Sequence, residues 1–304
     1  MGRQIPKSGK RGSRAPLKKR GGSAALRQTG GHRTSLHERA ALKGSPGTGT
    51  QSTQGAAARE STDRRAARKA LAPGGVLWGF HPVREALRSE QRAITSLYAT
   101  APAADRLSAE IAARQVTAEI LEAAEISKML PAGAVHQGLV ALVQPLPRLD
   151  ITDLPLQGLV LVLDQITDPH NLGAIIRSAA AFAVDAIVLT ERNAPELAGI
   201  VAKSASGGLE HVPVIPVVNL ARAMRHIGEL GYWRVGLDSD GPADIHQTRL
   251  ERPLALVLGA EGKGLRRLTR EHCDAIVRLD VPGAIKSLNV SNACAVALSF
   301  AAGG

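Results

Sequence analysis

The chain has only two cysteines, Cys273 and Cys294, and no paired C-x-x-C spacing. This excludes a disulfide framework and a zinc site of the paired-cysteine kind, and it fits a reducing compartment. No apolar run approaches the roughly 18 residues needed to cross a bilayer. The start of the chain lacks the hydrophobic stretch of a secretory signal. It is Arg-rich and acid-poor, as organelle transit peptides are, but its Gly and Pro content opposes the amphipathic helix such peptides form. The expectation is a bacterial cytoplasmic protein.

Acidic residues are scarce in one region only. Residues 1–70 hold 17 of the 38 Lys and Arg but 3 of the 27 Asp and Glu, which leaves 21 basic and 24 acidic residues elsewhere. The formal charge of +11 therefore belongs to the arm, and the body is close to neutral. Such an arm fits a polyanion, because each phosphate neutralised releases counterions. Membrane attachment is the competing use, but the arm has few large apolar residues and no amphipathic stripe. Built from Gly, Ser, Thr, Gln, Ala and basic residues, 1–73 cannot offset its own ordering entropy and reads as a disordered basic tail.

The remaining length suits two modest domains, at roughly 100–200 residues per domain. In residues 74–145, Leu77-Trp78-Gly79 leads into a helix over Pro82–Arg88. A strand follows at Ile94–Ala99, a helix at Asp105–Arg114 and a strand at Gly138–Val143, making a small α/β unit with Trp78 in its core. Pro145, Pro147 and Pro155 mark a connector over 146–157. From residue 158 to 304 the pattern is stronger. Apolar strands at Leu159–Leu163, Ala186–Thr190, Val212–Pro216, Arg234–Leu237, Leu254–Leu258 and Ala275–Leu279 alternate with helices at Leu172–Phe182, Leu197–Ser206, Leu220–Leu230 and Leu268–Cys273. Continuous apolar strands alternating with helices predict a parallel sheet covered on both faces.

Three loops carry more polar chemistry than packing requires. The first, Asp164 to Gly173, lies at the carboxyl end of a parallel strand, where ligands bind in open α/β sheets. Helix capping accounts for Asp168 and Pro169 but leaves Asn171 and Arg177 unexplained. The second, Gly259-Ala260-Glu261-Gly262-Lys263-Gly264, places three glycines in six residues. It lacks the Gly-Lys-Ser/Thr ending of a phosphate loop, so a pocket-lining turn and a plain turn both stay open. The third, Val281 to Ala293, crowds Ser287, Asn289, Ser291 and Asn292 at a helix start where one cap would suffice. His81, His136 and His170 sit near turns without a second ligand at metal-binding spacing, and read as structural or RNA-contacting.

Together, D-P-x-N-x-G followed by Arg, then G-x-E-G-x-G, then S-L-N-V-S, resemble the signatures of the SpoU/TrmH (SPOUT-type) RNA 2'-O-ribose methyltransferases. The likeness extends from Trp78 to about Phe300 and includes Trp78-Gly79-Phe80-His81-Pro82-Val83 and Val135-His136-Gln137-Gly138. Glu261 to Asp274 is especially similar to the subgroup acting on a guanosine of 23S ribosomal RNA. The resemblance implies a trefoil-knotted parallel-sheet methyltransferase domain behind a small α/β RNA-binding domain, and a homodimer whose active site spans the interface. It implies S-adenosyl-L-methionine as cofactor, held by Gly259, Ala260, Gly262, Leu279 and Leu288, and a polar catalytic set of Asn171, Arg177, Glu261, Ser287 and Asn289. It requires no metal and no membrane. Lys286 stands where many relatives have a small polar residue. A transfer RNA ribose methyltransferase would share every motif, and a non-catalytic RNA-binding assembly factor could use the same scaffold. The intact polar set speaks against the latter, and the N-terminal unit against the former.

Overall fold

The computed structural model describes residues 75–302; the basic arm expected over 1–73 lies outside them. The first half of the described chain runs β1 (Val76–Trp78), α1 (Phe80–Arg88), β2 (Ile94–Ala99), α2 (Ala101–Arg106), α3 (Ser108–Arg114), β3 (Ala118–Ile120), α4 (Ala123–Lys128) and β4 (Leu139–Val143). The four strands form a sheet in the order β1-β4-β2-β3, in which β4 is antiparallel to both neighbours and β2 and β3 are parallel. Every residue of β4 is buried, and the pleat sends alternate side chains to opposite faces. Leu139, Ala141 and Val143 pack with Val83, Ala86 and Leu87 of α1, while Val140 packs with Trp78 and Ile126.

The region expected as one helix over Asp105–Arg114 departs from the sequence reading in two respects. The helix expected over Asp105–Arg114 is two helices, broken at Leu107, whose buried side chain fills the core. The first of them starts at Ala101 with Pro102 in its opening turn, where a missing N–H costs nothing.

After a short 3-10 turn at Ile151–Asp153, the second half runs β5 (Leu159–Asp164), α5 (Pro169–Ala181), β6 (Ala186–Thr190), α6 (Gly199–Ala205), β7 (Val214–Val217), α7 (Leu220–Glu229) and β8 (Trp233–Leu237). It continues with β9 (Ala243–Asp244), β10 (Leu254–Gly259), α8 (Arg267–Glu271), β11 (Ala275–Arg278) and α9 (Val290–Ala302). The strands form one seven-stranded sheet in the order β7-β6-β5-β10-β8-β11-β9, with every pairing parallel.

Strict alternation splits this sheet into two cores. Leu159, Leu161, Leu163, Leu254, Leu256 and Leu258 face α5, α6 and α9, whereas Val160, Val162, Ala255 and Val257 face α7. Truncating one of these leucines to Ala would cost about 2–5 kcal/mol. The first core continues without a break into the α1 side of the four-stranded sheet. The connector is also tied down: Leu154 is buried, and the Tyr232 hydroxyl donates to the Pro155 carbonyl.

Sheet order places β10 between β5 and β8 although β8 precedes it in the chain. Consequently the loops after β5 and β10 leave from adjacent strands, with Gly259 paired in register with Asp164. The loop after β11 starts three strand spacings from β5, roughly 14 Å away. It returns to α5 because the apolar face of α9, Val290, Cys294, Ala297 and Leu298, is buried there.

Candidate active site

Asp164 ends β5 with a fully buried carboxylate. It accepts from the Arg266 backbone N–H at 3.0 Å and from Arg266 Nε at 2.6 Å, fastening the loop after β10 to the end of β5. That loop is compact. Gly264 N–H donates to the Ala260 carbonyl at 2.9 Å, and the two residues form a single β-bridge. A Cβ on Gly259 would lie 2.2 Å from the Gly264 backbone, so only glycine lets the two ends approach. Gly262 and Gly264 have φ of 75° and 61°, the left-handed region that glycine enters freely. At the neighbouring strand end, Asp238 pairs with Arg270 of α8 at 2.8 Å.

The loop after β5 turns into α5 through Asp168, whose carboxylate accepts from the His170 N–H at 2.7 Å while Pro169 opens the helix. Asn171 therefore sits in the first turn. Asn289 Nδ2 donates to Asn171 Oδ1 at 2.9 Å and lies 3.4 Å from Glu261 Oε2. The other end of the Asn289 amide accepts from Ser291 N–H at 2.9 Å and Ser291 Oγ at 2.6 Å, closing the start of α9. One amide thus joins three loops that are distant in sequence.

Not every residue of the expected polar set joins this cluster. Arg177 lies inside the same helix as Asn171, and six helical residues turn the side chain by about 240° and advance it about 9 Å. It is exposed and lines a cleft of about 360 Å³ with His81, Glu85 and His211. Ser287 is exposed in the loop after β11. Leu288 and Ile285 on that loop are 38% and 77% exposed, whereas Leu279 packs against the main core. Lys286 Nζ donates to the Val281 carbonyl at 3.1 Å, bracing the loop from within.

Two of the three histidines flagged by sequence have ordinary hydrogen-bond partners. His136 bonds the Ser127 hydroxyl at 3.0 Å and the Gly138 N–H at 3.0 Å, and His170 lies 3.4 Å from Ser204 Oγ. Among the described residues no group of His, Cys, Asp and Glu is placed to hold a metal ion. Burial pushes the thiols of Cys273 and Cys294 up to about 12, so neither supplies a thiolate near neutral pH. Sequence reasoning missed Asp164, Arg266 and the Asp238–Arg270 pair. The available signal was a carboxylate terminating an unbroken apolar strand.

A parallel sheet carrying three interlocked loops at its carboxyl ends, preceded by a small mixed-sheet unit, defines the class. The model of the SpoU rRNA methylase family matches residues 158–299, and the model for RNA 2'-O ribose methyltransferase substrate binding matches residues 76–149. The chain belongs to the SpoU rRNA methylase family. It is 38% identical over 233 residues to the 23S rRNA (guanosine-2'-O-)-methyltransferase RlmB of Yersinia pestis, covering 73% of this chain and 94% of that one. It is 47% identical over 172 residues to RlmB of Vibrio cholerae, covering 55% and 70%. In fold it is similar to an rRNA methyltransferase from Sinorhizobium meliloti, with a TM-score of 0.67 at 23% identity over 82% of this chain and 94% of that chain. It is also similar to the SpoU methyltransferase AviRb from Streptomyces viridochromogenes, solved with AdoMet, with a TM-score of 0.64 at 24% identity over 75% and 88%.

Proposed function

We propose that this chain transfers a methyl group from S-adenosylmethionine to the ribose 2'-hydroxyl of a guanosine in 23S ribosomal RNA. The observation that carries this reading is the convergence of Asn171, Glu261 and Asn289 from three separate loops. The cofactor fits the residues present. The loop at Gly259 closes back on the Gly264 backbone with no room for a side chain at Gly259, and Leu288, next to Asn289, is an exposed apolar side chain. Gly259, Ala260, Gly262, Leu279 and Leu288 would hold it. When bound it supplies an electrophilic sulfonium methyl.

What the protein adds is alignment and charge stabilisation. Holding the hydroxyl and the methyl near 3–3.5 Å supplies much of such an acceleration. Arg177 carries a guanidinium that is never deprotonated in proteins, so it grips the adjacent phosphate and stabilises developing alkoxide charge rather than acting as a base. Asn171 and Glu261, bridged by Asn289, hold the loops in register, and Ser287 lies on the same loop as Asn289. Arg177 and this cluster occupy different faces of α5, which favours a homodimer in which each site takes Arg177 from the second copy. The placement of β10 between β5 and β8, with α9 returned to α5, favours a trefoil-knotted chain. The basic arm adds sequence-independent affinity for RNA. We assign the protein to the cytoplasm.

The test is methyl transfer from labelled S-adenosylmethionine to ribosomal RNA purified from cells lacking the protein, followed by mapping of 2'-O-methyl positions. One labelled guanosine in 23S RNA is expected. Absence of label from ribosomal RNA would overturn the reading, and label confined to transfer RNA would redirect it.

A further inference from the structure

The cleft that holds Arg177 is built from both halves of the described chain. His81 and Glu85 come from α1, Arg177 from α5, and His211 follows the 3-10 turn at Gly208–Glu210. The halves are fixed against each other beside it. Arg92 and Glu210, each 3% exposed, form an ion pair at 2.8 Å, and a Cβ on Gly207 would collide with Glu85 Cγ at 2.3 Å.

The electrostatics of this cleft favour an anion. Its one carboxylate, Glu85, is already occupied: Arg84 lies at 2.9 Å, His211 Nε2 at 3.2 Å and Arg88 at 3.7 Å. Partial burial alone would raise the Glu85 pKa, but the hydrogen bonds from Arg84 and His211 outweigh it and hold the group below its ordinary value. Arg177, in contrast, has no ionic or hydrogen-bonded partner among the described residues. Alongside the cleft, Phe80 stacks edge-on against His81 at 5.5 Å and carries the guanidiniums of Arg84 and Arg106 at 5.6 and 4.2 Å from its ring centre. Cations interleaved with an aromatic face, next to an arginine without a partner among the described residues, are the chemistry that receives phosphates and unstacked bases of single-stranded RNA.

We propose that this cleft is a subsite for the backbone of the substrate RNA, in which His81 and His211 receive a phosphodiester next to the one gripped by Arg177. The small unit then does more than capture RNA at a distance: its helix α1 forms one wall of the path to Arg177. The proposal rests on the methyltransferase reading given above, because that reading makes RNA the ligand that must approach Arg177.

Charge exchange at His211 tests it. The residue is 57% exposed, so its replacement leaves the core intact. Affinity for purified, unmethylated 23S ribosomal RNA is measured across a salt series, with S-adenosylmethionine binding by calorimetry as a control for the fold. His211→Arg is expected to bind this RNA about threefold tighter, with a steeper salt dependence reflecting one added phosphate contact. His211→Glu is expected to bind it about tenfold more weakly through like-charge repulsion. If His211 serves only to pair with Glu85, His211→Arg preserves that pair and RNA affinity stays at the parental value. Equal RNA affinity, within twofold, of parent, His211→Arg and His211→Glu overturns the subsite. If the parent transfers no methyl group while the exchanges still move RNA affinity, the methyltransferase reading fails and the subsite stands.

Discussion

Asn289 uses both ends of one amide, donating to Asn171 and accepting from the start of α9. Its position is thereby set by three loops at once, which is the preorganisation a catalytic cluster needs. Arg177 is the opposite case: an exposed guanidinium that lines an open cleft and has no ionic partner among the described residues. Its five donors form a planar fork suited to phosphate, which the point charge of lysine does not reproduce. Arg177→Lys is therefore expected to lower kcat about 100-fold while RNA affinity, read from the same salt series, changes little. Full turnover by this variant would rule out the two-pronged role. Asn171 and Asn289 stand out in the sequence because polar residues exceed what capping requires, whereas Glu261 is singled out only through the family resemblance. Asp164 does not stand out, because a single carboxylate after an apolar strand reads equally well as a strand end. Its partner Arg266 lies 102 positions away. No local pattern encodes such a contact.

Element boundaries follow local chemistry where the local rule is strong. The strands at Ile94–Ala99 and Ala186–Thr190 have the bounds their apolar runs predict. The helices α1 and α5 begin two and three residues earlier than expected, at Phe80 and Pro169. In both, proline lies in the first turn, where its missing N–H has no acceptor to lose. The two-residue β9 carries too few side chains to show any period, and it exists through its pairing with β11. Pairing of β8 with β11 has its own fastener. Arg234 Nε and Nη2 reach the two oxygens of Asp274 at 2.9 and 2.6 Å, and Asp274 also accepts from the Arg234 backbone N–H at 2.8 Å. The side-chain hydrogen bond from Arg234, more than the burial that opposes it, holds the Asp274 pKa below the ordinary carboxylate value. A depressed folded-state pKa adds stability above the unfolded pKa of about 3.9 and loses it as pH falls through the lowered value. Asp274→Asn should then destabilise the protein by on the order of 1 kcal/mol at pH 7. In urea titrations the gap between variant and parent should narrow steadily below about pH 4. A gap that is constant with pH would mean the carboxylate charge contributes nothing.

At the scale of the whole molecule, two sheets that the sequence presents as separate units share one continuous apolar core. Proline-rich composition marks the connector as neither strand nor long helix, but it cannot show that Leu154 and Pro155 are held against the second unit. The decisive contact is again remote in sequence. Arg92 Nε reaches both carboxylate oxygens of Glu210, at 3.0 and 3.1 Å, and Nη1 donates to the Gln144 carbonyl at 3.0 Å. Both side chains are 3% exposed, so each ion depends on the other for the solvation it lost. Removing one partner strands a buried charge, whereas removing both leaves an apolar seam. Glu210→Ala should therefore cost about 3–5 kcal/mol, and Arg92→Met combined with Glu210→Leu much less, with guanidinium denaturation of the two variants and the parent as the measurement. The same series separates stability from positioning. Because the ion pair adjoins the cleft that contains Arg177, the double replacement should restore the denaturation midpoint but not the KM for RNA. An apolar seam holds the two walls together without fixing their angle, while the bidentate pair fixes both. Full recovery of both quantities would show that burial alone, and not the geometry of the ion pair, sets how α1 faces Arg177.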